Sequence, residues 1–168
     1  MSVMDQKNLI DDLKHQIARG QVVTVTGTGV SVAACENQQV DGFPVATWTG
    51  LLKHSVHFCQ HTESALNAKE AKALLGQIRV GETDFLIAAA ELVTKRLHGK
   101  RPGAFRGWLK ESVGKLAPTQ PDIIQTLASW PVVLATLNYD RLLEAITNRP
   151  SLTWQDRDKI EEILRYGG

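Results

Sequence analysis

The chain has 168 residues, 43% of them apolar, 22% charged and 6% aromatic, and its 19 basic side chains nearly cancel 18 acidic ones, leaving a net charge of +1. That composition describes one soluble globular domain, long enough to bury a core and too short for a second domain of independent stability. With no block of Lys and Arg, it excludes a protein built to neutralise many phosphates at once, so direct nucleic-acid binding is not expected.

In chain order, Ile10, Leu13 and Ile17 recur at helical spacing and Gly20 is placed to stop the helix, which predicts a helix over Asp5–Arg19. Gln21–Thr26, a β-branched run bounded by Gly20 and Gly27, reads as a buried strand. Gly27-Thr28-Gly29 forces a tight turn and Val30–Ala34 begins a helix, before Glu36–Asp41 dissolves the pattern. Thr47 is a plausible N-cap for a helix that carries Trp48, Leu51, Leu52, Ser55 and Phe58 on one face and ends near His61. A shorter helix follows over Ala65–Gln77. Phe85, Ala89, Leu92, Val93 and Leu97, and then Phe105, Trp108, Leu109, Val113 and Leu116, mark two amphipathic core helices. Together these form a helical insert over about residues 63–117. Pro121 opens a helix with Ile123, Ile124 and Leu127 on its inner face, and Pro131 ends it before a second strand, Val132–Thr136. Helices over Arg141–Thr147 and Gln155–Arg165, with a turn at Asn148-Arg149-Pro150 between them, complete the reading.

Strands separated by helices need crossover connections, so the pattern predicts an α/β fold with a parallel sheet and a large helical share. The sequence stops at Tyr166-Gly167-Gly168 with a helix just completed. An α/β sheet is not expected to end there, so the chain reads as residues 1–168 of a longer protein. Its two cysteines, Cys35 and Cys59, cannot build a disulfide framework or complete a tetrahedral thiolate site, which fits a reducing cytoplasm. Met1–Gly20 lacks a basic segment followed by an apolar one, so no export signal is read. Phe85–Ala90 and Val132–Ala135 fall far short of the roughly 20 residues a membrane span needs.

Two features can carry chemistry. Thr26-Gly27-Thr28-Gly29-Val30-Ser31 follows the first strand, where glycines let backbone N–H groups approach a diphosphate at a helix N-terminus. Val32 stands where a G-x-G-x-x-G fingerprint has its third glycine, and no Walker Gly-Lys-Ser/Thr follows, so the same residues also read as a ligand-free turn. Thr136-Leu137-Asn138-Tyr139-Asp140 emerges from the second strand. Asn138 and Asp140 either face the same crevice as Gly27–Ser31 or cap the helix that starts at Arg141.

Taken together and in this order, the two motifs resemble those of the sirtuin family. Gly27-Thr28-Gly29-Val30-Ser31 is similar to its Gly-Ala-Gly-x-Ser motif, and Thr136-Leu137-Asn138-Tyr139-Asp140 to its Thr-x-Asn-x-Asp motif. The likeness is closer to the bacterial sirtuin-like domains of antiphage defence proteins, through Ala46-Thr47-Trp48-Thr49-Gly50-Leu51-Leu52, the Trp108-Leu109 pair and Leu152-Thr153-Trp154, and it covers Val22 to Arg165. The resemblance implies a three-layer Rossmann-like α/β domain that binds NAD and, in the intact protein, hydrolyses it to nicotinamide and ADP-ribose as a defence effector. It also implies further domains of the same polypeptide and a homo-oligomer. By the same resemblance Gly27, Thr28, Gly29 and Ser31 hold the diphosphate and adjoining ribose, Asn138 is the catalytic residue that positions the nicotinamide ribose and the attacking water, and Asp140 shares the pocket. A non-catalytic NAD or ADP-ribose-binding or assembly module is the alternative.

The sequence departs from the family at Thr28, where alanine is usual, and at Leu137, where threonine or glutamine is common. The family's catalytic histidine, on a later strand, has no counterpart, so the 168-residue chain is expected to be inactive by itself. His98-Gly99 precedes Asn138 in a polar stretch with Lys95, Arg96, Lys100 and Arg101 and reads as a solvated helix C-terminus. His54, His57 and His61 share helical spacing, but no acidic ligand lies on their face and Cys59 points off it, so no metal is expected. The four zinc-binding cysteines of protein-deacylating sirtuins are also absent. Trp48, Trp108, Trp130 and Trp154 lie on separate elements and read as core or rim packing.

Overall fold

The computed structural model describes residues 3–36 and 38–166. Among them, α1 (Val3–Ala18) leads through Gly20 to strand β1 (Val23–Thr26), and the glycine turn opens α2 (Thr28–Cys35). The helices α3 (Trp48–His61), α4 (Ala68–Val80), α5 (Thr83–Lys100) and α6 (Ala104–Glu111) follow. A 3-10 turn at Val113–Lys115 leads to α7 (Asp122–Ala128), strand β2 (Val133–Thr136), α8 (Leu142–Thr147) and α9 (Arg157–Tyr166).

The main core is helical. Leu52, Val56 and Phe58 of α3, Leu74 and Ile78 of α4, Leu86, Val93 and Leu97 of α5 and Trp108 of α6 bury one another. Local signals set these helices. The Thr47 hydroxyl accepts from Gly50 N at 3.0 Å, and Asn67 and Glu70 form a reciprocal capping box at the start of α4, which begins three residues later than its apolar periodicity suggests. Gly50 is required by close approach: a Cβ there would lie 2.1 Å from the Pro44 carbonyl oxygen. The turn before α3 therefore folds directly onto the helix backbone. The expected single helix through Phe105 and Leu116 is broken at Ser112, whose backbone (φ −109, ψ −98) leaves the helical region.

A second core joins Ala34 and Cys35 of α2 to Ile124 of α7 and Leu142 of α8, and a third packs Val40, Val45 and Val113 together. The first of these packs α2 against α7 and the start of α8. Strands β1 and β2 pair in parallel, Val23 opposite Val133 and Thr26 opposite Thr136, so both chains leave the sheet at the same end.

The expectation of a three-layer Rossmann-like α/β fold is overturned. The described residues are mostly helical, and their sheet has two strands of four residues each. The periodic apolar runs of the insert become helices that pack chiefly on one another, leaving too few β-branched segments for a sheet with helices on both faces. Val23 and Val25 of β1 are 51% and 58% exposed, so β1 is not the buried strand its composition suggests. Ile10 and Leu13, whose spacing announces α1, are 54% and 50% exposed. Trp108 is buried as expected, whereas Trp154 is 74% exposed. No described helix is long and apolar enough to cross a membrane.

Candidate functional site

Parallel pairing brings the two polar motifs together. Thr26 and Thr136 end their strands side by side, Leu137 N donates to Thr26 O at 3.1 Å, and the Thr26 hydroxyl donates to Ala135 O at 3.2 Å. Beyond this end, Ser31 on the first turns of α2 meets the chain emerging from β2. Its hydroxyl donates to Asp140 Oδ2 at 2.6 Å and accepts from Asn138 Nδ2 at 2.7 Å. Ser31 is only 2% exposed, while Asn138 and Asp140 are partly buried. Ser31 thus spends its single proton on the carboxylate and its lone pair on the amide, which sets both side chains in one orientation. Among the described hydrogen bonds, Asn138 Oδ1 accepts none, so that carbonyl can orient a hydroxyl or a water.

Asp140 also performs the capping role. Its Oδ1 accepts from Leu142 N, the first residue of α8, at 3.1 Å, while Oδ2 faces Ser31. One oxygen thus faces Ser31 and the other caps α8. Its negative charge reaches Cys35, whose thiol is pushed up to about 11 by burial first and by Asp140 second. Cys35 is therefore an inert core thiol, and Cys59, pushed up to about 12 by burial and then by Glu63, is another.

The glycine turn is open. Gly27 caps α2 with an extended backbone (φ −130) and no side-chain hydrogen bond, and a Cβ at Gly27 or Gly29 would meet nothing within 4 Å. Neither backbone strain nor packing calls for glycine at these positions. The first amide N–H groups of α2 have no side-chain cap at this end, and Thr28 is exposed beside them.

No histidine hydrogen-bonds to Ser31, Asn138 or Asp140 among the described residues. His98 stacks on Phe105 with centroids 5.2 Å apart, and Phe105 meets Tyr139 edge-on at 6.5 Å. The insert therefore packs beside the Asn-Tyr-Asp motif, a proximity for which the sequence carries no signal.

His54, one of the three helical-face histidines, is 1% exposed and fully committed. Its Nδ1 accepts from Trp108 Nε1 at 3.0 Å, which requires the neutral ring, and Nε2 lies 3.3 Å from Asp41 Oδ2. Burial lowers its pKa, partly offset by the hydrogen bond and charge of Asp41, with His57 and Lys115 lowering it further. The unfolded chain consequently binds a proton that the folded chain refuses. Stability is expected to be complete above about pH 6.5 and to fall as pH drops through the folded value, by at most about 1.4 kcal/mol per pH unit. Denaturation midpoints measured from pH 7.5 to pH 5, together with NMR titration of the His54 ring, check this. A ring that titrates like an exposed imidazole contradicts it.

Sequence reasoning gives no sign of the pair between Arg101 and the buried Glu63, in which Arg101 Nε donates to Oε2 at 3.1 Å and Nη2 donates to Oε1. It ties the end of α5 to the turn after α3. Comparison with known proteins found no matching family model, no matching curated protein and no matching solved structure.

Proposed function

We propose that this chain binds NAD at the glycine turn and the Asn138–Asp140 segment, and that in the intact protein it belongs to an NAD glycohydrolase of the sirtuin-like antiphage-defence type. The observation that carries the reading is the Ser31–Asn138–Asp140 hydrogen-bonded trio at the shared end of two parallel strands, beside an uncapped helix N-terminus. Open space over Gly27 and Gly29 leaves the α2 amides accessible to a diphosphate, with Thr28 and Ser31 next to it. Hydrolysis breaks the bond between the ribose carbon and the nicotinamide nitrogen and adds water to that carbon, releasing neutral nicotinamide and ADP-ribose. Positive charge grows on the ribose in the transition state, so fixed dipoles such as the free Asn138 carbonyl and the Asp140 carboxylate suit it.

Among the described residues the trio is bonded to no histidine, and for the 168-residue chain alone the second reading is a non-catalytic NAD or ADP-ribose-binding module. The trio itself contains no imidazole, the side chain suited to general-base work near neutral pH. Adding NAD and, separately, ADP-ribose to the isotopically labelled chain is expected to shift the amide signals of Gly27–Ser31 and Asn138–Asp140, with little nicotinamide released. Unchanged signals at those residues at millimolar NAD would overturn the binding site. Turnover by the chain as fast as by the intact protein would overturn its catalytic incompleteness.

A further inference from the structure

We propose that His57 and His61 form a two-imidazole chelate for a late first-row divalent cation of the Zn²⁺ or Ni²⁺ class, independent of the nucleotide reading. The residues stand one helical turn apart on α3, a 14-residue helix clamped into the main core by Leu52, Val56 and Phe58. Both are exposed, and their ring centroids lie 4.5 Å apart with planes inclined at 42°. With metal–nitrogen bonds of about 2.1 Å, two imidazoles in adjacent coordination positions place their centroids roughly 4.6–5.3 Å apart, so small side-chain rotations bring this pair to chelating separation. Phe43 packs against the His57 ring at 5.6 Å, inclined at 47°, and restrains its orientation. Such restraint reduces the ordering cost of binding.

The same geometry limits the site to these two protein ligands. His54 has both ring nitrogens engaged by Trp108 and Asp41, and Cys59 is fully buried. No group of three or more His, Cys, Asp or Glu is placed to hold a metal among the described residues. The remaining coordination positions fall to water. That suits borderline cations that accept imidazole nitrogen and excludes Ca²⁺ and Mg²⁺, which require oxygen ligands. The sequence spacing suggests a cluster of three histidines; burial of the first leaves a pair.

The test uses the full 168-residue chain titrated with ZnCl₂ and, separately, NiCl₂ near neutral pH, with imidazole ring NMR for Zn²⁺ and calorimetry for both. The His57 and His61 ring signals are expected to shift together, with one saturation curve. His57→Ala and His61→Ala are each expected to weaken binding by more than about tenfold, since loss of a mere outer-shell partner already costs about 10–100-fold. Three results overturn the site: no shift of these rings at millimolar metal, saturation of His15 or His98 at a lower metal concentration than the pair, or unchanged affinity in either alanine variant. Both substituted positions are exposed, and backbone amide NMR signals of α3 retained in each variant check that the helix persists.

Discussion

Replacing Asn138 with alanine is expected to reduce nicotinamide release from NAD by the intact protein on the order of 10²–10³-fold, the usual cost of deleting one fixed dipole aimed at a reacting centre. The side chain donates to Ser31 Oγ at 2.7 Å, which sets its orientation, and its carbonyl is the unengaged end. Stability should change little, because Asn138 is only partly buried and Ser31 keeps its bond to Asp140. A folded Asn138→Ala protein with near-normal nicotinamide release would remove Asn138 from the chemistry. Ser31→Ala is the informative companion. It leaves Asn138 Nδ2 and Asp140 Oδ2 without their common partner, so it is expected to impair NAD binding and to loosen the start of α8, visible as faster amide exchange at Leu142.

Trp108→Ala is expected to destabilise the fold by about 3–5 kcal/mol, the usual range for emptying a large aromatic site in a core. Trp108 is 4% exposed within the cluster that joins α3, α4, α5 and α6. The substitution also strips His54 Nδ1 of its donor at 3.0 Å, leaving a buried acceptor unsatisfied. Trp108→Phe separates the two effects. It retains most of the packing and loses the indole N–H, and is expected to cost about 1–3 kcal/mol. It also frees Nδ1 to take a proton, so the acid loss of stability should weaken in this variant. Equal denaturation midpoints for Trp108→Phe and the parent chain would show that the hydrogen bond contributes nothing net.

Within the candidate site, the sequence exposed the participants but not their bonding. Both motifs follow β-branched runs directly, and glycines and Asn/Asp at such exits are legible because turn chemistry is local. That Ser31 stands between Asn138 and Asp140 depends on β1 and β2 being neighbours in register, which no local pattern encodes. The capping role of Asp140 was legible; only the packing of α2 against α7 and α8 brought its second oxygen to Ser31.

By itself the sequence determined where the insert is helical, though not the break at Ser112, and placed the two short strands, because amphipathic periodicity, N-caps and glycine or proline stops act over a few residues. Run lengths likewise determined that no described helix is long and apolar enough to span a membrane, whereas two cysteines can in principle pair, and it is the structure that leaves Cys35 and Cys59 free. Only the tertiary structure decided the architecture. Periodicity shows that Leu52, Val93 and Leu97 need a partner surface but not which one, and they found each other rather than a sheet. The same ambiguity left Val23, Val25, Ile10 and Leu13 facing solvent where their spacing promised burial. The fate of the histidines was likewise tertiary. Spacing placed His54, His57 and His61 on related faces of α3, but the approach of Trp108 and the Asp41 turn claimed the first ring and left the other two together in solvent.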